Sequence, residues 1–262
     1  GLIIAFLIAA HIYIPSLDYR AMSIRSGDMG SFAYATNWSM HPKELLTYIM
    51  PNYFGFGGSS YSGFMPFTDF PNYVGLFVLL FAFLSLKNLN KETIFFWSVL
   101  IISIFLSLGK YFEIFYQFFY NYLPFFNSFR VPSMILILSN FCLYILSAYG
   151  VKDVIEIFKN KFKDFKPELI IFTFLIVSLV DIYRIDNRII NPDDDSGQQN
   201  QITSINNFES VFKQDETISY LKDNLGLNRI YPAGSLFTDP KFKYHGIESV
   251  GGYHPAKFGH YS

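Results

Sequence analysis

The run from Val131 to Val151 carries no charged side chain. That stretch constrains the chain more than any other. A helix advances about 1.5 Å per residue and the hydrocarbon core of a bilayer is about 30 Å thick, so roughly 17 to 25 apolar residues cross it. Three further blocks are also uncharged: Gly1 to Leu17, which holds Pro15 and reads as the end of a truncated span, Phe70 to Leu86, and Thr93 to Gly109. A fifth, Leu169 to Val180, is shorter and reaches spanning length only as Pro167 to Tyr183, with Glu168 and Asp181 placed near the interfaces. Hydrophobic residues make up 51% of the chain and charged ones only 16%, a balance that departs from ordinary soluble domains. The sequence therefore predicts a mainly α fold, a polytopic transmembrane helical bundle over residues 1–183. Gly1 lies inside an apolar run and Ser262 follows a turn-like segment, so the chain reads as a fragment, and the lack of a signal peptide carries no information.

Lysines orient the spans, since short cytoplasmic loops accumulate Lys and Arg. Lys87 and Lys91 separate the second and third blocks; Lys152, Lys159, Lys161, Lys163 and Lys166 crowd the segment after the fourth. With both on the cytoplasmic side, alternation places Asp18 to Asp69, Lys110 to Arg130 and everything after Tyr183 outside. The segment Tyr111 to Phe129 holds 11 aromatic residues in 19, with Glu113, Gln117, Asn121 and Asn127 interspersed. That composition reads as an amphipathic stretch at headgroup level or an ordinary aromatic belt. Val154, Ile155, Phe158, Phe162 and Phe165 recur at helical spacing among the lysines, so Val151 to Lys166 is expected to lie along the inner surface as an anchor.

The outer loop over 18–69 is longer than a connection needs and so suggests a working element. Within it, His41 to Pro51 reads as a short helix begun by Pro42 and ended before Pro51. Asn52 to Gly58 supplies turn chemistry, and Asp69 stands just ahead of the next block. The tail, residues 184–262, opens with a polar linker containing Asp193, Asp194 and Asp195. Beyond it a helix is expected over Asp215 to Asn224 with Gly226 as its stop, and short strands over Arg229 to Tyr231 and Ile247 to Val250. These elements predict an incomplete extracytoplasmic α/β domain ending in the turn-like run Gly251, Gly252, Tyr253, His254, Pro255, Ala256, Lys257.

Twenty basic and 21 acidic side chains leave almost no net charge, so the chain has no field that would draw nucleic acid. Cys142, the single cysteine, lies in an apolar run and reads as a small buried side chain. His245, Glu248, His254 and His260 match no metal-ligand spacing, and no metal site is assigned. Asn37-Trp38-Ser39 is a glycosylation sequon by pattern alone.

The order of motifs resembles the YfhO family of bacterial membrane proteins. The resemblance rests on Ser23-Ile24-Arg25, Tyr34 to Ser39, the Pro42 to Pro51 helix with Phe54-Gly55, and Tyr61-Ser62-Gly63. It continues through Pro66 to Asp69, Tyr73-Val74-Gly75, Leu123 to Ser133, Tyr244-His245-Gly246 and the Gly251 to Lys257 run. It implies a multi-pass protein of the bacterial cytoplasmic membrane with a glycosyltransferase C-like architecture. Such a protein moves a sugar from a polyprenyl-phosphate carrier onto an extracytoplasmic glycolipid or envelope-polymer acceptor. In such enzymes the catalytic acid sits in the first outer loop, upstream of Gly1 here, so no catalytic residue is carried over. No organic cofactor is implied, and a divalent metal requirement stays open.

Arg130, just ahead of Pro132 at the outer end of the fourth block, suits the carrier phosphate. A guanidinium binds two phosphate oxygens with forked hydrogen bonds, and the first turn of the following helix would offer amides to an anion. The alternative is a snorkelling interfacial arginine. Arg25, Glu44 and Asp69 fall on the same side and either line the site or pair with one another. Gly251, Gly252, Tyr253, His254 and Lys257 form a candidate structural turn in the tail. The competing functional class is a transporter or flippase of lipid-linked saccharide, and the third a non-catalytic envelope-assembly scaffold. Uncharged blocks with charges held at their ends favour chemistry at the surface over passage through the midplane.

Overall fold

A computed structural model describes residues 2–22, 31–124, 126–162, 166–190 and 205–252. The chain divides into two units: Ser31–Gln201, and Gly1–Gly30 grouped with Ile202–Ser262. The second contains α1 (Leu2–Met22), with Pro15 inside it.

In the Ser31–Gln201 unit, α2 (Phe32–Ala35) is capped by the Ser31 hydroxyl, which accepts from the Tyr34 amide. A 3-10 helix over Pro42–Tyr48 follows, with Pro42 in its first turn and the His41 ring accepting from the Lys43 amide. Next come α3 (Leu76–Leu84) and α4 (Lys91–Ser107), the latter opened by a capping box between Asn90 and Thr93. They are followed by α5 (Glu113–Tyr122), α6 (Leu136–Lys161) and α7 (Pro167–Ile190). Helices α3 and α4 both pack on α6, burying Val78, Leu79, Ala82, Leu100, Leu136, Cys142, Leu143 and Leu146 in one cluster. Gly150 makes the α3 contact possible, because a Cβ there would run into the Phe81 carbonyl. Polar atoms in this contact are matched: the Ser103 and Ser139 hydroxyls lie 2.8 Å apart and the Trp97 indole donates to Ser85 at 3.2 Å.

The segment between α2 and α3 is fastened over one end of these helices. The Met40 amide donates to the Ser107 carbonyl, the Lys110 amide to the Ser39 hydroxyl, and the Ser133 amide to the Trp38 carbonyl. Helix α7 reaches the same end. Its Asp181 carboxylate accepts from the Leu76 amide at 2.8 Å and the Tyr73 hydroxyl at 2.8 Å, capping α3 from a distant part of the chain. About two turns of α7 further on, Arg188 donates to Asn52 at 3.0 Å and lies over the Phe56 ring.

The polytopic bundle expected from the uncharged blocks is not what forms. Among the described residues only Pro132–Lys161 is a helix long and apolar enough to cross a membrane, with a second span if the bent pair Lys91–Ser107 and Gly109–Tyr122 counts as one. Between Phe70 and Leu86 the helix waits until Leu76, because Gly75 takes φ 100°, and the apolar helix Leu76–Lys87 is short of spanning length. After α4 the chain turns by 107° at Gly109, whose φ of 46° an L side chain adopts at a cost and whose Cβ would strike the Ser39 hydroxyl. Helix α7 is long, yet Asp181, Arg184, Asp186 and Arg188 occupy its second half, and Asp181 works as a cap instead of an interfacial charge. Residues Val151 to Lys161 do not form a separate surface helix but prolong α6.

The tail contains α8 (Ile205–Val211), α9 (Glu216–Asn224), a 3-10 helix over Gly234–Thr238 and α10 (Lys241–Tyr244). Ile218, Phe242 and Ile247 form its small core, with Leu221, Leu225 and Ile230 against it. The α/β expectation is corrected here too. No strand forms among the described residues; the two segments expected as strands meet only in an isolated Ile230–Ser249 bridge, with the Ile230 amide on the Glu248 carbonyl and the Val250 amide on that of Ile230. A single bridge has no ladder neighbours, so the tail is held by helices and side-chain burial.

Candidate functional site

Where the loop meets the start of α6, a cleft of about 600 Å³ is lined by Trp38, Phe67, Asp69, Asn72, Arg130, Ser133 and neighbouring residues. Trp38 packs edge-on against Phe67 at 5.4 Å between ring centroids. The Arg130 guanidinium lies over two rings, 5.0 Å from the Tyr34 centroid and 5.3 Å from that of Trp38, and donates to the Tyr34 hydroxyl. Tyr34 and Trp38 stand four residues apart across α2 and the turn after it, which brings both rings to the arginine. Such stacking holds the planar group in one orientation and leaves most of its five N–H donors for another acceptor. Among the described residues Arg130 forms no ion pair. Next to it, Val131 has φ 65°, a strained conformation for a β-branched side chain, at the entrance to the 3-10 turn that begins the apolar helix.

Of the residues singled out in the sequence, the structure brings Arg130 and Asp69 to one cleft. The helix amides proposed to join Arg130 do not: Pro132 has none, the Ser133 amide is bonded to Trp38 and the Met134 amide to Val131. Glu44 lies elsewhere, 2% exposed, and accepts from the Tyr61 hydroxyl and from the Phe64 amide at 2.7 Å. Burial and that carboxylate drive the Tyr61 phenol well above its ordinary range. Arg25 lies outside the described residues, as do Tyr253, His254 and Lys257. Tyr34 and Trp38 were missed as site residues, because they stand more than 90 positions from Arg130 and no local pattern ties them to it. Ser39, read as part of a sequon, is buried, its hydroxyl donating to Thr36 and accepting from Lys110.

In the tail, Gly251 and Gly252 line a second cleft of about 730 Å³ with Arg229, Lys243 and Glu248. The Gly252 amide donates to the Phe237 carbonyl at 2.6 Å and Gly251 to the Ser249 hydroxyl at 3.0 Å. Arg229 is already paired with Glu248 at 2.8 Å, and His245 bonds the Phe212 carbonyl at 2.8 Å. No group of three His, Cys, Asp or Glu side chains able to hold a metal occurs among the described residues.

Helix α5 adds an exposed apolar stripe, Ile114, Phe118 and Tyr122, at helical spacing. Apolar faces also stay exposed on α6 at Ile137 and Phe141 and on α7 at Phe172 and Leu179. Comparison with family models, curated proteins and solved structures finds no match to this chain.

Proposed function

We propose that this chain works at a membrane surface and that its Arg130 cleft holds the phosphate of a lipid-linked sugar carrier, as part of a glycosyltransferase-like protein acting on a cell-envelope acceptor. One observation carries the reading: a guanidinium over the Tyr34 and Trp38 rings that, among the described residues, has no acidic partner and lines a cleft beside the one helix long and apolar enough to cross a bilayer. A phosphate monoester or diester offers paired oxygens to such a fork, and a charge-assisted bond of this kind is about twice as strong as a neutral one. The aromatic walls suit a sugar or prenyl unit beside the phosphate, as rings do in concave sites that bind small molecules. The exposed stripe of α5 supplies membrane contact near the cleft-bearing segment, since aromatic and aliphatic side chains at such spacing favour the interface.

The test is Arg130→Lys in the whole protein. Lysine keeps the charge but loses the fork and the stacking. The expected result is loss of sugar transfer from the polyprenyl-phosphate donor while expression and membrane association persist. Normal transfer by that variant would remove the proposal.

A further inference from the structure

We infer that the small cavity beside Glu44 is a binding site for one monovalent cation of sodium or potassium size. Glu44 sits in the first turn of the Pro42–Tyr48 3-10 helix and is 2% exposed. Its Oε1 accepts two hydrogen bonds, from the Tyr61 hydroxyl and the Phe64 amide. Two donors aimed at one oxygen match a carboxylate, which only accepts. Its Oε2 is buried and has no hydrogen-bond partner among the described residues. No Lys, Arg or His forms an ion pair with Glu44 among those residues. A buried carboxylate without a cation is among the most costly arrangements in a protein interior.

The adjoining cavity measures about 10 Å³ and is lined by Glu44, Thr47, Tyr61, Thr68 and Asn72 together with apolar side chains. A volume of that size admits about one water-sized sphere. The hydroxyl protons around it are committed. Thr47 donates to the Glu44 carbonyl at 2.7 Å, Thr68 to the Phe70 carbonyl at 2.9 Å, and Tyr61 to Glu44 itself. What the Thr47 and Thr68 oxygens have left is lone pairs, while the Tyr61 oxygen already accepts from the Met65 amide at 2.9 Å. Oxygen acceptors around an uncompensated negative charge call for a cation, whereas a water molecule would satisfy one hydrogen bond and leave the charge. A divalent ion is a poor fit, because the one carboxylate in the lining balances only half its charge, and magnesium keeps several of its waters where the cavity holds one sphere.

The experiment is thermal unfolding of the whole chain, in one detergent, in sodium, potassium and N-methylglucamine chloride at matched ionic strength. A bound cation raises the midpoint in sodium or potassium relative to N-methylglucamine. Above the dissociation constant, each tenfold rise in the free ion multiplies the folding constant by about ten. Glu44→Gln abolishes that dependence, and Thr47→Val weakens it. Equal midpoints for wild type in all three salts overturn the inference and leave a water or a proton on Oε2, a result that needs no variant to fold. Retained dependence in Glu44→Gln overturns the assignment to this cavity. None of these readouts involves Arg130, so the outcome is separate from the phosphate proposal.

Discussion

Replacing Asp181 by alanine should loosen the junction between α7 and α3 by an amount the structure lets one estimate. The carboxylate accepts from the first amide of α3, Leu76, and from the Tyr73 hydroxyl, both at 2.8 Å. Gly75 at that position has no side chain to offer, and the local acceptor of the Leu76 amide, the Tyr73 hydroxyl at 3.1 Å, is itself held by Asp181. Loss of a capping side chain costs about 1 kcal/mol, and loss of a negative charge at a helix N-terminus about 0.3 to 1 kcal/mol. Together they give about 1.3 to 2 kcal/mol for Asp181→Ala. Asp181→Asn keeps an acceptor and loses only the charge, about 0.5 kcal/mol. Equilibrium unfolding in denaturant, compared at unchanged slope, reads both differences. If alanine costs no more than asparagine, or both stay within about 0.5 kcal/mol of wild type, the distant cap contributes nothing and the account of how α7 docks is wrong.

Gly150→Val should destabilise the Ser31–Gln201 unit by about 1 to 3 kcal/mol, read by the same titration, because its side chain would meet the Phe81 backbone and not a movable side-chain tip. Burial and the Asp181 carboxylate push the Tyr73 phenol up to about 12. A pKa raised in the folded state gives stability that is complete below pH 10 and lost as pH rises toward about 12, so Tyr73→Phe should flatten the alkaline unfolding profile in that window. Asp215 is the opposite case: its hydrogen bond from Lys241 and the Ile218 amide hold its carboxyl below the ordinary carboxylate value. That contribution is present above the unfolded pKa and lost as pH falls through the folded one, so Asp215→Asn should make far-ultraviolet circular dichroism of the tail less sensitive to acid. Trp38→Ala removes one stacking face from Arg130 and should weaken binding of a lipid phosphate by about 1 kcal/mol, roughly fivefold in Kd by vesicle titration.

Local chemistry was legible where a few neighbouring residues decide the outcome. His41-Pro42 starts a helical turn and Asp215 caps α9, with the Gly226 stop in the left-handed region at φ 57°. Counting uncharged residues misled for a physical reason. The absence of charge shows where helix is tolerated in lipid, but Gly75, inside a block read as one continuous span, delays the helix there, while Gly109, the last residue of its block, is where the chain turns away. The Ile230 and Ser249 segments were apolar enough to suggest strands, yet each pairs over a single bridge, because strand formation needs neighbours that this short tail does not provide among its described residues. Carboxylates were the least readable. Asp181 and Glu44 were assigned to an interface and an outer face, and their true partners, Leu76 and Tyr61, are separated from them by 105 and 17 positions. Arg130 stood out in the sequence by its position ahead of Pro132, whereas the rings that hold it became visible only once the loop was folded over α6.

The measurement that bears most directly on the Arg130 cleft uses the indole beside it. The chain has two tryptophans, so Trp97→Phe leaves Trp38 as the sole reporter, 5.3 Å from the guanidinium. Fluorescence of that protein in lipid nanodiscs is titrated with polyprenyl phosphate and, in parallel, with the uncharged polyprenol. A saturable change with the phosphate alone, absent in Arg130→Gln, is the predicted result. An equal response to both lipids, or a phosphate response that survives Arg130→Gln, would contradict it.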